Sequence, residues 1–139
     1  VQERVIDDTT PQGQAGAPHR RALVLLDSVA KIEPAHAGAV VVTGSHGGTS
    51  SAGFVLDVPV FAIFFNDAGI GKGEAGIAGL ALLQAARIAA CAVSHASARI
   101  GEAGDTLHSG VVTAVNPAGA ARGIRIGARA VDCVDRLRR

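Results

Sequence analysis

Three short polar segments carry most of the side chains that could do chemistry. They are Ser45-His46-Gly47-Gly48-Thr49-Ser50-Ser51, Asn66-Asp67-Ala68-Gly69-Ile70-Gly71-Lys72-Gly73-Glu74 and Ser94-His95-Ala96-Ser97-Ala98-Arg99, and each follows an aliphatic run. His46 and His95 are the groups best suited to move protons near neutral pH, and Asp67 is the carboxylate that would orient or charge one of them. Ser45 or Ser94 would serve as a nucleophile if a histidine came within hydrogen-bond reach. Gly47 and Gly48 let backbone N–H groups turn toward an anion, and Thr49 and Ser50 stand where a helix would open behind them. Gly71 and Lys72 offer a second anion-facing loop. Arg99 brings a planar fork that holds two oxygens of a carboxylate or phosphate.

His46, His95 and Asp67 are also two imidazoles and a carboxylate, a set that fits a divalent metal. No short-range ligand spacing supports that lesser reading, and no cofactor is otherwise expected. Each residue has a plain alternative as well: a hydrogen-bonded structural histidine, a tight glycine turn, a solvated arginine. A second tier comprises Asn66, Asp105, His108 and Asn116. Asp105 and His108 lie in 102–110, which precedes the strand expected over 111–115 and is expected at the opposite sheet edge. Asn116 follows that strand and would rejoin the site edge.

His46-Gly47-Gly48 resembles in part the His-Gly-Gly-Gly oxyanion motif of esterases. Thr49 replaces the last glycine, and no Gly-x-Ser-x-Gly elbow occurs in the chain. Gly48-Thr49-Ser50-Ser51-Ala52 resembles the phosphate loop of small-molecule kinases over five residues. Neither likeness assigns a family. Gly71-Lys72-Gly73-Glu74-Ala75-Gly76 has the Gly-x-Gly-x-x-Gly form, but Ser94 and His95 stand where a dinucleotide site needs an acid. Gly73 likewise stands where a phosphate-binding P-loop needs Ser or Thr.

The elements that must position these residues are read from aliphatic runs. Strands are expected over 39–43, 58–65, 91–93 and 111–115, with 22–26 either strand or helix. A short helix is expected over 49–56, the clearest helix of the chain over 74–90, and a terminal helix from 118 onward, strongest over 128–138. Apolar strands alternating with helices predict a three-layer, Rossmann-like α/β domain with a mostly parallel sheet of four or five strands. Ligands then bind beyond the strand C-termini, where the three polar segments gather. Residues 1–20 read as a flexible arm, and 21–139 as one domain.

Composition narrows the classes. With 139 residues and 48% hydrophobic content, the chain can bury a core and is not a disordered one. Four Phe without Trp or Tyr leave little for stacking nucleic-acid bases, and a net charge of +1 makes no polyanion-binding field. Neither a nucleic-acid nor a membrane partner is expected, and the arginines of the tail read as a solvated helix face. Cys91 and Cys133 read as buried thiols in a cytoplasmic protein. The small Ala/Val/Gly core and the Gly76- and Gly79-bearing helix favour a homo-oligomer. The expected function is an enzyme of hydrolase or lyase type, using histidine acid–base chemistry on a small anionic metabolite. The alternative is a non-catalytic metabolite- or nucleotide-binding module or oligomeric subunit, and a further one is half of a site completed by another chain.

Overall fold

A computed structural model describes residues 3–6 and 20–139. They form a mixed α/β fold around a six-stranded sheet. The strands are β1 (Glu3–Ile6), β2 (Leu23–Leu26), β3 (Val40–His46), β4 (Ala62–Asn66), β5 (Ala90–Val93) and β6 (Val112–Val115). They lie side by side in chain order. β2 to β5 are parallel, while β1 and β6 are antiparallel edges. This order has no reversal of the kind that opens a crevice in a doubly wound sheet.

Alternating strand residues feed two cores, as the pleat requires. Val24, Leu26, Val41, Ile63 and Phe65 face α1 (Thr49–Val55) and α2 (Gly79–Ala85). Leu25, Val42, Phe64, Cys91 and Val93 face α3 (Ala103–Ser109) and α5 (Ala130–Leu137). Burial on both sides explains why β3 to β5 read as unbroken apolar runs.

The expected arm, 1–20, contains one of the six strands, β1. β1 is clasped to the domain at both ends: Glu3 meets His36 at 2.7 Å, and Arg138 donates to the Ile6 carbonyl at 3.3 Å. Residues 7–19 lie outside the described residues. Arg138 is therefore buried between β1 and Arg21, where the sequence predicted a solvated tail arginine.

Two helices differ from expectation. The helix predicted over 74–90 occupies only Gly79–Ala85, because Gly73 and Glu74 hold φ of 62° and 58° and Arg87 holds 59°. Such left-handed residues cannot continue a right-handed helix. The C-terminal helix is divided into α4 (Pro117–Ala121) and α5, with Gly123 and Gly127 left-handed between them. Among the described residues, no helix is long and apolar enough to cross a membrane.

The largest correction concerns β6. Because it runs antiparallel to β5, Val112 pairs with Val93 at the C-terminal end of β5. The segment 94–110, with α3, thus leaves and returns at the same edge, contrary to the opposite edge expected for Asp105 and His108. Asn116, at the far end of β6, lies beside the start of β5 and does not rejoin the site edge.

Candidate functional site

The parallel strands β3, β4 and β5 all end at one edge, which brings His46, Asp67 and His95 to the same side of the sheet. His46 and Val93 each pair with Asn66. Two inter-strand spacings therefore separate the β3 and β5 backbones there, about 10 Å.

Asp67 is the most tightly held group of the edge. Its Oδ1 accepts the N–H of Gly69 at 2.8 Å and of His95 at 3.0 Å, and its Oδ2 accepts the Thr113 hydroxyl at 2.7 Å. Burial alone would raise its carboxyl. The Thr113, Gly69 and His95 hydrogen bonds and the nearby imidazole outweigh burial, so the pKa falls below the ordinary carboxylate value. His95 Nδ1 lies 3.5 Å from Oδ1, while 61% of the His95 side chain is open to solvent. A buried carboxylate thus faces one nitrogen of an exposed imidazole. Thr113, absent from the sequence candidates, supplies the third contact. A hydroxyl inside an apolar strand must find a partner, and that was its signal.

His46 is held differently. Its Nδ1 accepts the Gly48 N–H at 3.0 Å, with Ser51 Oγ 3.4 Å away. A Cβ on Gly48 would come within 2.7 Å of the ring, so glycine is required for the loop to fold under the imidazole. Gly79 donates its N–H to the Gly47 carbonyl at 2.8 Å, and a Cβ on Gly76 would run into the Asp67 carbonyl. The Gly79 contact ties the first polar segment to the start of α2, and the Gly76 contact closes the second segment on itself.

Between β4 and α2 the chain is strained. Ala68, Gly69, Ile70, Gly71, Gly73 and Glu74 all have positive φ, with Ile70 at 65°. For a β-branched residue that conformation costs on the order of 1–3 kcal/mol and persists only where the surroundings impose it. Here Ile70 is trapped between its N–H bond to the Asp67 carbonyl, 2.6 Å, and its carbonyl bond from Gly76, 2.8 Å. The His95 ring lies over this loop, within about 3.5–3.7 Å of a Cβ built on Gly69.

The remaining candidates separate into three groups. Ser45 Oγ accepts the Val29 N–H at 2.9 Å, and Ser94 Oγ accepts the Ala96 N–H at 3.0 Å. Neither serine hydroxyl is bonded to a histidine, so the condition for a nucleophile is unmet. Asn66 is buried, donating to the Ala98 carbonyl at 3.0 Å and accepting from Ala68 at 2.8 Å. Asn116 is equally structural: it caps α4 and bonds Leu80, Ile88 and Ala90.

Thr49, Ser50, Gly71 and Lys72 are exposed, and Lys72 stands in the strained loop. Arg99 is exposed, with its guanidinium 3.7 Å from Glu102. The Arg99 N–H binds Asp105 at 2.7 Å. That bond, followed by one from Ser109, lowers the Asp105 carboxyl, aided by the charges of Arg99 and His108. Asp105 therefore shapes the loop carrying Arg99. His108 is exposed on α3, its carbonyl accepting from Arg129 at 3.4 Å.

Among the described residues, the group whose metal-ligating atoms lie within 4.8 Å of one another is Glu3, Glu33 and His36; His46, Asp67 and His95 form no such group. At His36 the Glu33 N–H donates to Nδ1 at 3.1 Å, which leaves the ring proton on Nε2, 2.7 Å from Glu3. A protonated Nε2 donates a hydrogen bond and has no lone pair for a metal, so this cluster latches β1 in place. Comparison with protein families, with curated proteins and with solved structures found no match.

Proposed function

We propose that the chain is an enzyme acting on a small anionic metabolite, a hydrolase or lyase that works by histidine acid–base chemistry at the C-terminal edge of β3 to β5. The observation that carries this reading is the buried, ionised Asp67 facing Nδ1 of solvent-open His95. A carboxylate there favours the proton on Nδ1 and leaves Nε2 as a base directed outward. Arg99 and Lys72, both exposed at this edge, would hold the carboxylate or phosphate of the substrate. In this reading the fold is Rossmann-like in its layers and in carrying its loops beyond the strand ends, with sequential strand order in place of the reversal.

The experiment joins binding to turnover. A thermal-shift panel of phosphate, small carboxylates and nucleotides identifies a ligand, which at a hundred times its dissociation constant adds about 2.7 kcal/mol. Turnover of compounds in that class is then compared between wild type and His95→Gln. Loss of His95 should lower kcat by about 10²–10⁴-fold while the thermal shift persists. A ligand bound without turnover by the wild type would favour the metabolite-binding module, and no ligand at all would reject a site complete in this chain.

A homo-oligomer is the second reading. The adjacent helices α1 and α2 carry no charged side chain and expose Phe54 and Leu82, with Leu56 exposed just after α1. Light scattering on the purified chain reads the assembly directly.

A further inference from the structure

The two histidines of the edge are held by opposite means. Nδ1 of His46 receives a backbone N–H, from Gly48 at 3.0 Å, with the Ser51 hydroxyl at 3.4 Å as a second donor. An N–H cannot point at another N–H, so this nitrogen keeps its lone pair and the ring proton resides on Nε2. Gly48 has no rotamer to give way, and the ring rests against its Cα side so closely that a Cβ would not fit. His95 is the reverse case. Its backbone N–H donates to Asp67 Oδ1 at 3.0 Å, and its Nδ1 lies within ion-pair reach of the same oxygen at 3.5 Å, where a carboxylate favours the proton on Nδ1 and the lone pair on Nε2.

We infer that His46 and His95 are fixed in opposite neutral tautomers and act as donor and acceptor in one proton-transfer step on a carbonyl-containing substrate. This rests on the enzymatic reading above and narrows its substrate class. His95 Nε2 removes a proton from a water, or from a carbon next to the carbonyl. The O–H or C–H bond breaks, the N–H bond forms, and the electron pair moves toward the carbonyl. The carbonyl oxygen takes up the negative charge and receives the hydrogen bond of His46 Nε2–H. In the second half of the reaction His95 returns its proton to the leaving group as the carbonyl re-forms, or as a double bond forms by elimination. A neutral imidazole N–H offers one donor with no net charge, which suits the single oxygen of a carbonyl. A transferring phosphoryl group would need cations around several oxygens. No serine hydroxyl is bonded to the base, so a water or a carbon acid takes the place of an enzyme nucleophile.

The test is a long-range ¹H–¹⁵N correlation spectrum of the full, ¹⁵N-labelled chain, followed upward in pH until both histidine signals reach their plateaus. Signals are assigned with His46→Gln and His95→Gln. Should His46→Gln fail to fold, Ser51→Ala displaces the His46 signals instead. The expected plateau has His46 protonated on Nε2 and His95 on Nδ1. The same tautomer at both residues, or fast averaging at either, would overturn the proposal. This readout needs no substrate, so it fails separately from the enzymatic reading: absent turnover with opposite tautomers refutes the enzyme and leaves the tautomer assignment standing. With a carbonyl substrate in hand, His46→Asn should retain more kcat than His46→Leu, because only asparagine keeps a donor. Equal losses in the two would refute the donor role.

Discussion

Thr113→Val removes one hydroxyl and changes little else, which makes it a sharp probe of the Asp67 clamp. Valine keeps the β-branched shape and suits the strand β6 as well as threonine does. What is lost is a 2.7 Å hydrogen bond to a buried carboxylate that keeps its Gly69 and His95 amide donors. A hydrogen bond to a charged group contributes about 1.5–3 kcal/mol. Thr113 is half-buried and two donors remain, so the cost belongs at the lower end, about 1.5–2 kcal/mol. Its pH dependence has a definite sign. The Asp67 pKa is lowered on folding, so its clamp stabilises the protein above the unfolded carboxylate value, about 3.9, and that contribution fades as pH falls through the folded value. Urea denaturation of wild type and Thr113→Val should give parallel slopes at pH 7, with the variant's midpoint displaced. The gap should narrow progressively below pH ~4, and Thr113→Ser should restore most of it. A penalty under about 0.5 kcal/mol at pH 7, or one of equal size at pH 7 and pH 2, would refute the reasoning.

Two further outcomes follow from packing. Gly79→Ala places a methyl against the Gly47 and Gly48 carbonyls, which are backbone and cannot swing aside. Overpacking of this kind costs about 1–3 kcal/mol, so calorimetry should show Tm lower by roughly 3–10 °C, whereas Gly53→Ala on open α1 surface should not lower it. Cys91 is fully buried, and burial, with Cys133 nearby, pushes its thiol well up. A thiol reagent should leave Cys91 and Cys133 unmodified in the native protein and label both in urea. Rapid labelling under native conditions would show that the core between β5 and α5 opens freely.

The parallel centre of the sheet was legible because burial on both faces leaves a direct trace: Val40-Val41-Val42 and Ile63-Phe64-Phe65 have no polar interruption. The edges were not. β1 is exposed along its whole length and owes its place to Arg138 and His36, residues 132 and 33 positions away from their partners Ile6 and Glu3. No local pattern encodes such contacts. The direction of β6 was equally hidden, since four residues, Val112–Val115, pair either way. Its antiparallel course follows from the route of 94–110, which turns back over one face through α3 and never crosses to the other edge.

Residue type and strand position placed His46, Asp67 and His95 at one edge, but could not say which neighbours hold them. Adjacent serines drew attention as nucleophiles because they precede the histidines in the chain. The end of β3 is irregular, with a register shift between Val42 and His46, and there Ser45 turns to the backbone N–H of Val29 while His46 turns to Gly48 and Ser51. The hydroxyls that matter come from elements that return to the edge. Ser51 does so five residues on, one turn into α1, and Thr113 does so from the antiparallel strand beyond β5. The orientation of β6 thus shapes this edge: it brings Thr113 within reach of the Asp67 carboxylate. An Asp67 held on three sides cannot swing to follow His95, so the imidazole must come to the carboxylate. The strained 68–74 loop passes beneath that imidazole and carries the Gly69 N–H that helps fix the carboxylate.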